Sequence, residues 1–269
     1  YDGRHCYAFA GAAPPRHVPR LPVLSLYQGD DWCDLPLVEP SEPAELRHVP
    51  WPGKRPWALF RGNCTGAGTT RDTNVRIELA YEGAMHAWRL EGGRTDVRPL
   101  VDAAIIGVSR RGKFVEEALV AFDDRAALPP LGNRIDMSEW GRWKFLIYAE
   151  GYSAALRMTS MLSARSVIFV IDGHSTADEL WYFDKFVKVD WFETYRQQEL
   201  VPPEANVVWL ADPEGLRYTL PFLQQHDDVA FALAQNARRL FDDIRRTRLD
   251  VMAATLATCT DEWRRRLRH

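Results

Sequence analysis

The stretch that decides the fold is Trp57-Ala58-Leu59-Phe60-Arg61-Gly62-Asn63-Cys64-Thr65-Gly66-Ala67-Gly68. Its first four residues form an apolar run of strand length, and glycines interrupt the pattern directly afterwards. The following segment, 73–81, has helical apolar spacing, with Val75 and Leu79 on one side. A strand, a glycine-rich loop and a helix in this order open a mononucleotide-binding βα unit, in which backbone amides hold a phosphate. The loop is neither G-x-G-x-x-G nor a Walker sequence, so a simple tight turn remains an alternative.

Further apolar segments alternate between strand and helix patterns along the chain. Strands are predicted at 21–27, 101–108, 144–148, 166–171 and 207–210. The segment 166–171 is almost entirely β-branched or aromatic, which is typical of a strand buried on both faces of a parallel sheet. Helices are predicted at 153–162 and from Asp227 to the end, with Asp227 or Asp228 as N-cap. This alternation predicts an α/β fold with a mainly parallel sheet.

The composition is that of an ordinary globular chain. It has 269 residues, a net charge of −3 and 46% hydrophobic residues, which predicts one large domain or two small ones. A charge so close to neutral argues against a dedicated nucleic-acid-binding protein. No apolar run approaches the ~20 residues of a membrane span, and no signal peptide is visible. We therefore expect a soluble chain without a membrane span, in a compartment that the sequence leaves open. The four cysteines lack zinc-ligand spacing, and one bridge between Cys6 and Cys33 is left open.

Two charged residues are candidates for chemistry, and each has an alternative. Arg157 lies on an otherwise apolar helical face, so it needs a partner, which is either a ligand phosphate or a carboxylate. Asp34 ends an acidic cluster and is either a general base or part of a solvated loop. Asn63-Cys64-Thr65 is formally a glycosylation sequon, but a glycan would obstruct the turn, so we expect an unmodified asparagine.

Two other kinds of site are disfavoured. No metal site is expected, because there is no Asp-x-Asp and the seven histidines do not fall at ligand spacing. The end of the chain could contact phosphate polymers, since arginines cluster at 238–239, 245–246 and 264–266. Acidic residues are interspersed there, so a solvated helix face is favoured.

Four blocks of sequence follow one another in an order and spacing that one enzyme family shares. The first is Pro22-Val23-Leu24-Ser25-Leu26 with Asp34-Leu35, similar to a Pro-Val-Phe-Ser-Phe strand and a downstream Asp-Ile pair. The second, 58–66, is similar to an aromatic-Arg-Gly-x-x-Thr-Gly/Ser loop. The third runs from Lys144-Phe145 through Gly151 to Arg157, and the fourth, His226-Asp227-Asp228-Val229-Ala230, is similar to Asn-Asp-Asp-x-Ala. Together these blocks resemble the protein O-glucosyltransferase family, the Rumi-like and capsule-associated enzymes of glycosyltransferase family ninety.

The resemblance implies a GT-B-like fold, in which two Rossmann-like lobes enclose the active site. On this sequence it implies a minimal N-terminal acceptor-side lobe at 1–53, a nucleotide-sugar-binding domain at 54–245 and a C-terminal helix at 246–269. Such enzymes are metal-independent and need no cofactor beyond the UDP-sugar donor. They transfer glucose or xylose, with inversion, to a hydroxyl of a glycan or glycoprotein acceptor. The departures in the acceptor region slightly favour xylose.

Carried over residue by residue, the resemblance implies that Asp34 is the catalytic base. The implied donor-binding residues are Arg61, Gly62, Thr65, Gly66, Ser153, Ala154, Arg157 and Glu193, and no metal ligand is implied. Trp32 and Trp191, beside Asp34 and Glu193, are candidates for stacking on sugar.

The sequence also departs from the family pattern, and this keeps two alternatives open. Cys64 stands where many members of the family have a basic residue that contacts phosphate. Arg61 or Arg71 could supply that contact here. The His-Tyr-x-Pro run that precedes the last helices in the family is replaced here by Asn206-Val207-Val208-Trp209. The alternatives are a catalytically inactive nucleotide-sugar-binding protein of the same fold and a nucleic-acid-binding module that uses the arginine-rich C-terminal helix.

Overall fold

The computed structural model describes residues 24–26, 35–39, 43–66, 68–91, 101–108, 113–115, 118–120, 128–151, 155–172, 180–191 and 201–266. In these ranges, no helix has both the length and the apolar character needed to cross a membrane.

A six-stranded parallel sheet lies at the centre of the fold. The strands of the described residues are β1 Leu24–Ser25, β2 Leu35–Pro36, β3 Arg55–Cys64, β4 Val101–Val108, β5 Lys113–Val115, β6 Ala118–Val120, β7 Trp143–Ala149, β8 Val167–Ile171, β9 Lys188–Asp190 and β10 Val207–Leu210. The large sheet has the order β4-β3-β7-β8-β10-β9, and all neighbours in it are parallel. β1 pairs with β2 in parallel, and β5 pairs with β6 in antiparallel. The predicted α/β fold with a mainly parallel sheet is confirmed.

Helices cover both faces of this sheet. They are α1 Val75–Glu91, α2 Arg157–Ser163, α3 Leu216–Gln225 and α4 Asp227–Arg266, with short 3-10 turns at Trp51–Gly53, Met137–Arg142, Phe183–Lys185 and Pro213–Gly215. The two faces follow from the alternation in β7, where Phe145 and Ile147 point to one core and Leu146 and Tyr148 to the other. α1 and α3 pack on the first face, and α2 packs on the second. α4 contacts both cores in turn, and the helix predicted from Asp227 onward is confirmed over Asp227–Arg266.

The order of the strands creates a switch point between β3 and β7. After β3 the chain passes through α1 to β4 on one side of β3, and β7 lies on the other side. Connections that leave in opposite directions open a crevice at the carboxyl ends of the two strands, where open α/β sheets bind their ligands. This geometry directs attention to the loops that follow Cys64 and Ala149.

Three local expectations are corrected by the structure. The first strand of the βα unit is longer than 57–60, because pairing with β7 begins at Arg55 and pairing with β4 extends the strand through Gly62 to Cys64. Arg157 is the first residue of α2 and does not lie one turn inside a helix that begins near 153. Asp227 is the first residue of α4 and not its cap, since the carbonyl oxygen of His226 accepts the first helical hydrogen bond, from Ala230.

Residues on either side of the expected domain boundaries are in contact with the sheet domain. Leu46 belongs to the core beneath α2, and its amide donates to the Ser163 hydroxyl at 2.8 Å. α4 continues without a break through 245–246. The division into a lobe at 1–53, a domain at 54–245 and a terminal helix stays a prediction.

Candidate functional site at the carboxyl ends of the strands

Two glycines hold the loops after β3 and β7 close together. Gly66 has a φ of +102°, in the left-handed region that favours glycine, and a Cβ there would lie 3.2 Å from the Gly151 oxygen. A Cβ on Gly151 would lie 2.7 Å from the Thr65 hydroxyl. The predicted loop residues Thr65 and Gly66 thus lie at the switch point, in close contact with the second loop, and Gly62 lies within β3 beside the Arg76 guanidinium.

Arg76, which the sequence did not single out, fastens the two strand ends to each other. Its guanidinium donates to the carbonyl oxygens of Asn63, Ala149 and Glu150 and to the Thr65 hydroxyl, at 2.6–3.1 Å. Burial, with a smaller contribution from Arg157, lowers the pKa of Arg76 to about 9. The only sequence signal was an arginine among apolar residues of a helix, with no indication of its distant carbonyl partners.

The first turn of α1 is capped by Asn74. Its side-chain oxygen accepts from the amides of Arg76 and Ile77 at 3.1 Å each, and its side-chain nitrogen donates to the oxygens of Thr65 and Gly68. These two amides are therefore already hydrogen-bonded within the protein. The sequence pattern predicted that amides at the start of this helix hold a phosphate. Since two of them already donate to Asn74, they are less available for a phosphate than predicted.

The guanidinium of Arg61 is directed at the neighbouring strand. It donates to the Asp102 carboxylate at 2.6 Å and to the carbonyl oxygens of Phe60, Asp102 and Asn133 at 2.8–3.0 Å. This arrangement anchors β3 to β4 and to residue 133. Contact with a donor diphosphate stays a prediction for Arg61, and it requires part of this network to open.

Arg157 is placed at the same end of the sheet and has unused hydrogen-bond donors. Its Nη1 donates to the Arg61 carbonyl oxygen at 3.0 Å, and the guanidinium lies 5.4 Å from the Phe60 ring centre and 5.6 Å from that of Trp140. Nε and Nη2 are buried and have no hydrogen-bond partner in the part of the chain that the structure describes. Burial lowers the pKa of Arg157. Of the two partners considered from sequence, a carboxylate is not found for Arg157 among the described residues.

An aromatic cavity lies farther along the same edge, at the ends of β9 and β10. It has a volume of about 880 Å³ and is lined by Trp191, Trp209, Tyr218 and Phe222 together with Arg217 and Asp212. Arg217 is fixed at its wall because two of its nitrogens donate to the Glu82 carboxylate, at 2.7 and 3.2 Å. Volume and lining fit a small ligand with a planar aromatic part. Trp191 is nearly buried, with its ring centre 4.7 Å from that of Phe222, so it serves as a wall of this cavity.

The remaining sequence candidates lie outside the described residues. These are Asp34, Ser153, Ala154 and Glu193, together with Trp32 and the cysteine pair Cys6 and Cys33. In the part of the chain that the structure covers, no group of three or more histidine, cysteine, aspartate or glutamate side chains is arranged to hold a metal ion. Of the candidates that are described, Gly62, Thr65, Gly66 and Arg157 come together.

Comparison with known proteins reveals a distant likeness. No family model matches the chain. The chain is similar to the uncharacterized protein 035R of Invertebrate iridescent virus 3, with 26% identity over 188 residues. The matched region covers 63% of this chain and only 16% of the viral protein. No activity is stated for that relative, so the likeness contributes no functional argument.

Proposed function

We propose that this chain is a UDP-sugar-dependent inverting glycosyltransferase of GT-B-like architecture. It transfers xylose or glucose to a hydroxyl of a glycan or protein acceptor and needs no metal ion. The observation that carries the proposal is Arg157, a buried guanidinium with two unpaired donor nitrogens at the switch point of a parallel sheet. Buried donors without acceptors are costly, so their presence is best explained by a ligand that supplies the acceptors.

The chemistry of inversion needs few protein groups. A base removes the proton of the acceptor hydroxyl while its oxygen attacks the anomeric carbon, and the bond from that carbon to the β-phosphate oxygen breaks. The electron pair of this bond leaves with UDP, so negative charge grows on the diphosphate. Fixed cations at that position stabilise the transition state more than the ground state. In this proposal Arg157 stabilises the diphosphate and Asp34 is the base.

The cavity and Arg157 are spaced for the two ends of one nucleotide. The cavity lies at the ends of β9 and β10, and β8 alone separates β10 from β7. The Arg157 guanidinium lies against β3, one strand beyond β7, and neighbouring strands are ~4.8 Å apart, so it is about 14 Å from β10. An aromatic base bound in the cavity could therefore extend its phosphates along the strand ends to Arg157.

The buried state of Arg157 adds a condition. Because Nε and Nη2 are buried before any ligand binds, phosphate oxygens reach them only if the surrounding segments move. Ligand binding is thus coupled to a local rearrangement at this edge of the sheet.

Donor hydrolysis tests the proposal without knowledge of the acceptor. The protein is incubated with a panel of nucleotide sugars in the presence of EDTA, and release of the nucleoside diphosphate is measured. We expect release from UDP-xylose or UDP-glucose, which Asp34→Asn abolishes while UDP binding persists. No turnover with any donor, together with UDP binding, favours the inactive nucleotide-sugar-binding protein. Turnover that survives Asp34→Asn shows that another group is the base.

The nucleic-acid alternative has less support from the C-terminal helix. Arg238 pairs with Glu45 and Asp242, and Arg246 pairs with Asp243 at 2.6 Å. These carboxylates offset the positive charge that a phosphate polymer would need. Binding to RNA or DNA that weakens steeply with salt would restore this alternative.

A further inference from the structure

The distal half of α4 differs from its first half in burial. The helix has 40 residues and is therefore about 60 Å long. Up to Ile244 its apolar side chains pack on the two cores of the domain. Beyond Ile244 no described side chain of the helix is buried. About 20 residues of helix thus continue beyond the two cores: the first turn still contacts the body, where Lys185 Nζ donates to the Thr247 hydroxyl at 3.4 Å, and none of the described side chains is buried.

This distal segment carries an apolar stripe with coiled-coil spacing. The stripe consists of Leu249, Met252, Leu256, Cys259 and Trp263, at alternating intervals of three and four residues. Leu249 is 58% exposed, Leu256 46% and Trp263 49%. Leucines at such spacing form the seam of a helix pair, whereas a solvated face would not repeat them every seventh residue.

The charges along the segment favour one particular partner. Arginines stand at 245, 246 and 248, where the stripe begins; where it ends, Asp261 and a glutamate are followed by three further arginines at 264–266. In an antiparallel pair of identical helices centred on residue 254, the arginines at the start of one helix face the acidic pair 261–262 of the other, and its arginines 265 and 266 face Asp243 and Asp242. A parallel pair would instead place the three arginines against their copies. The existing ion pairs of these charges lie on the exposed surface, as in Arg246 with Asp243 one turn away and Arg245 with Glu45, and such pairs contribute little.

We propose that the distal half of α4 pairs antiparallel with the same segment of a second copy of this chain. Leu249 of one copy packs on Cys259 of the other, and Met252 packs on Leu256, so the seam is the same from both sides, as a two-fold axis requires. The two folded bodies then lie at opposite ends of the helix pair. The seam is short, so the expected dissociation constant is micromolar.

Sedimentation velocity over a micromolar concentration series tests the pairing. We expect wild-type protein to pass from monomer to dimer and Leu249→Glu/Leu256→Glu to remain monomeric. Ala254→Glu/Ala257→Glu is the matched control, because it adds the same charge to exposed positions beside the stripe and should still dimerise. Circular dichroism and Tm check that both variants fold. A wild-type protein that stays monomeric, or a control that dissociates like the seam variant, overturns the proposal.

Disulfide trapping tests the direction of the helices. In a background with Cys6, Cys33 and Cys64 replaced by alanine, Leu249→Cys should give a covalent dimer with Cys259 of the other copy under mild oxidation. Cys259 alone should give none, since the two copies of Cys259 lie about 15 Å apart along an antiparallel pair. A dimer linked through Cys259 alone shows a parallel pair and refutes the arrangement.

Discussion

Replacement of Arg157 by methionine separates a structural from a ligand-binding role for this side chain. Methionine keeps an unbranched apolar side chain between the rings of Phe60 and Trp140 and removes the guanidinium. The change relieves two buried donors without acceptors, each of which costs about 1–3 kcal/mol. It also loses a charged hydrogen bond of about 1.5–3 kcal/mol and two cation–π contacts of about 0.5–1 kcal/mol each.

These contributions offset each other to within about 1 kcal/mol, so the free energy of unfolding without ligand should hardly change. For a domain of this size that corresponds to a Tm within about 4 °C of wild type. Arg76→Met is the contrast, because it leaves three carbonyl oxygens without their donor and should cost at least about 3 kcal/mol.

Thermal unfolding with and without UDP, in EDTA, measures both effects. UDP at about a hundredfold excess over its Kd should stabilise wild-type protein by about 2.7 kcal/mol, and Arg157→Met should lose this gain. Arg142→Met is the matched control, since Arg142 lies at the amino end of β7 and pairs with Glu139 at the surface. Its response to UDP should equal that of wild type.

Two results would refute the reasoning. If Arg157→Met unfolds as easily as Arg76→Met without ligand, the nitrogens of Arg157 are satisfied in the free protein and do not await a phosphate. If Arg157→Met keeps the full response to UDP, the guanidinium does not bind the diphosphate.

Two further predictions concern Lys54, which directly precedes β3 and donates to the Gly141 and Ala164 carbonyl oxygens, and Gly151 in the loop after β7. Burial lowers the pKa of Lys54 from 10.5 to about 7, so the unfolded chain binds more protons than the folded one between these values. Lys54 therefore makes the free energy of unfolding rise from pH 7 towards pH 10. When this free energy is measured by urea unfolding at several pH values, Lys54→Met should show a smaller rise than wild type. An equal rise in both proteins contradicts the prediction. Gly151→Ala places a methyl group 2.7 Å from the Thr65 hydroxyl and should cost about 1–3 kcal/mol and weaken UDP binding. A Cβ on Gly53 would have its nearest contact at 3.7 Å, so Gly53→Ala should lower the free energy of unfolding clearly less. A similar decrease in both variants would show that the loops can relax around the added methyl group.

The sequence was most informative where a strand carries its own apolar pattern. The predicted strands at 101–108 and 207–210 have the observed bounds; 144–148 is one residue short at each end, and 166–171 begins one residue early. Periodicity also predicted the long terminal helix. The central strands β7 and β8 are buried on both faces and are therefore apolar almost throughout, whereas the edge strand β4 alternates between buried and partly exposed residues.

The sequence was less informative where distant partners decide the outcome. Gly62 and Asn63 have low strand propensity, yet pairing with a neighbouring strand keeps them in β3. α3 contains Pro221, which conceals a helix from propensity rules. Arg157 could be singled out by its position among apolar residues, but its unpaired nitrogens and the role of Arg76 depend on contacts that only the folded chain brings together.

The proximity of Arg76 to Arg157 has a consequence for proton linkage. Two buried guanidinium groups next to each other repel, and this repulsion helps to lower the pKa of Arg76 to about 9. An anion bound between or beside them cancels the repulsion and raises that pKa. In alkaline solution, binding of a diphosphate is then accompanied by proton uptake, and its apparent enthalpy depends on the ionisation enthalpy of the buffer.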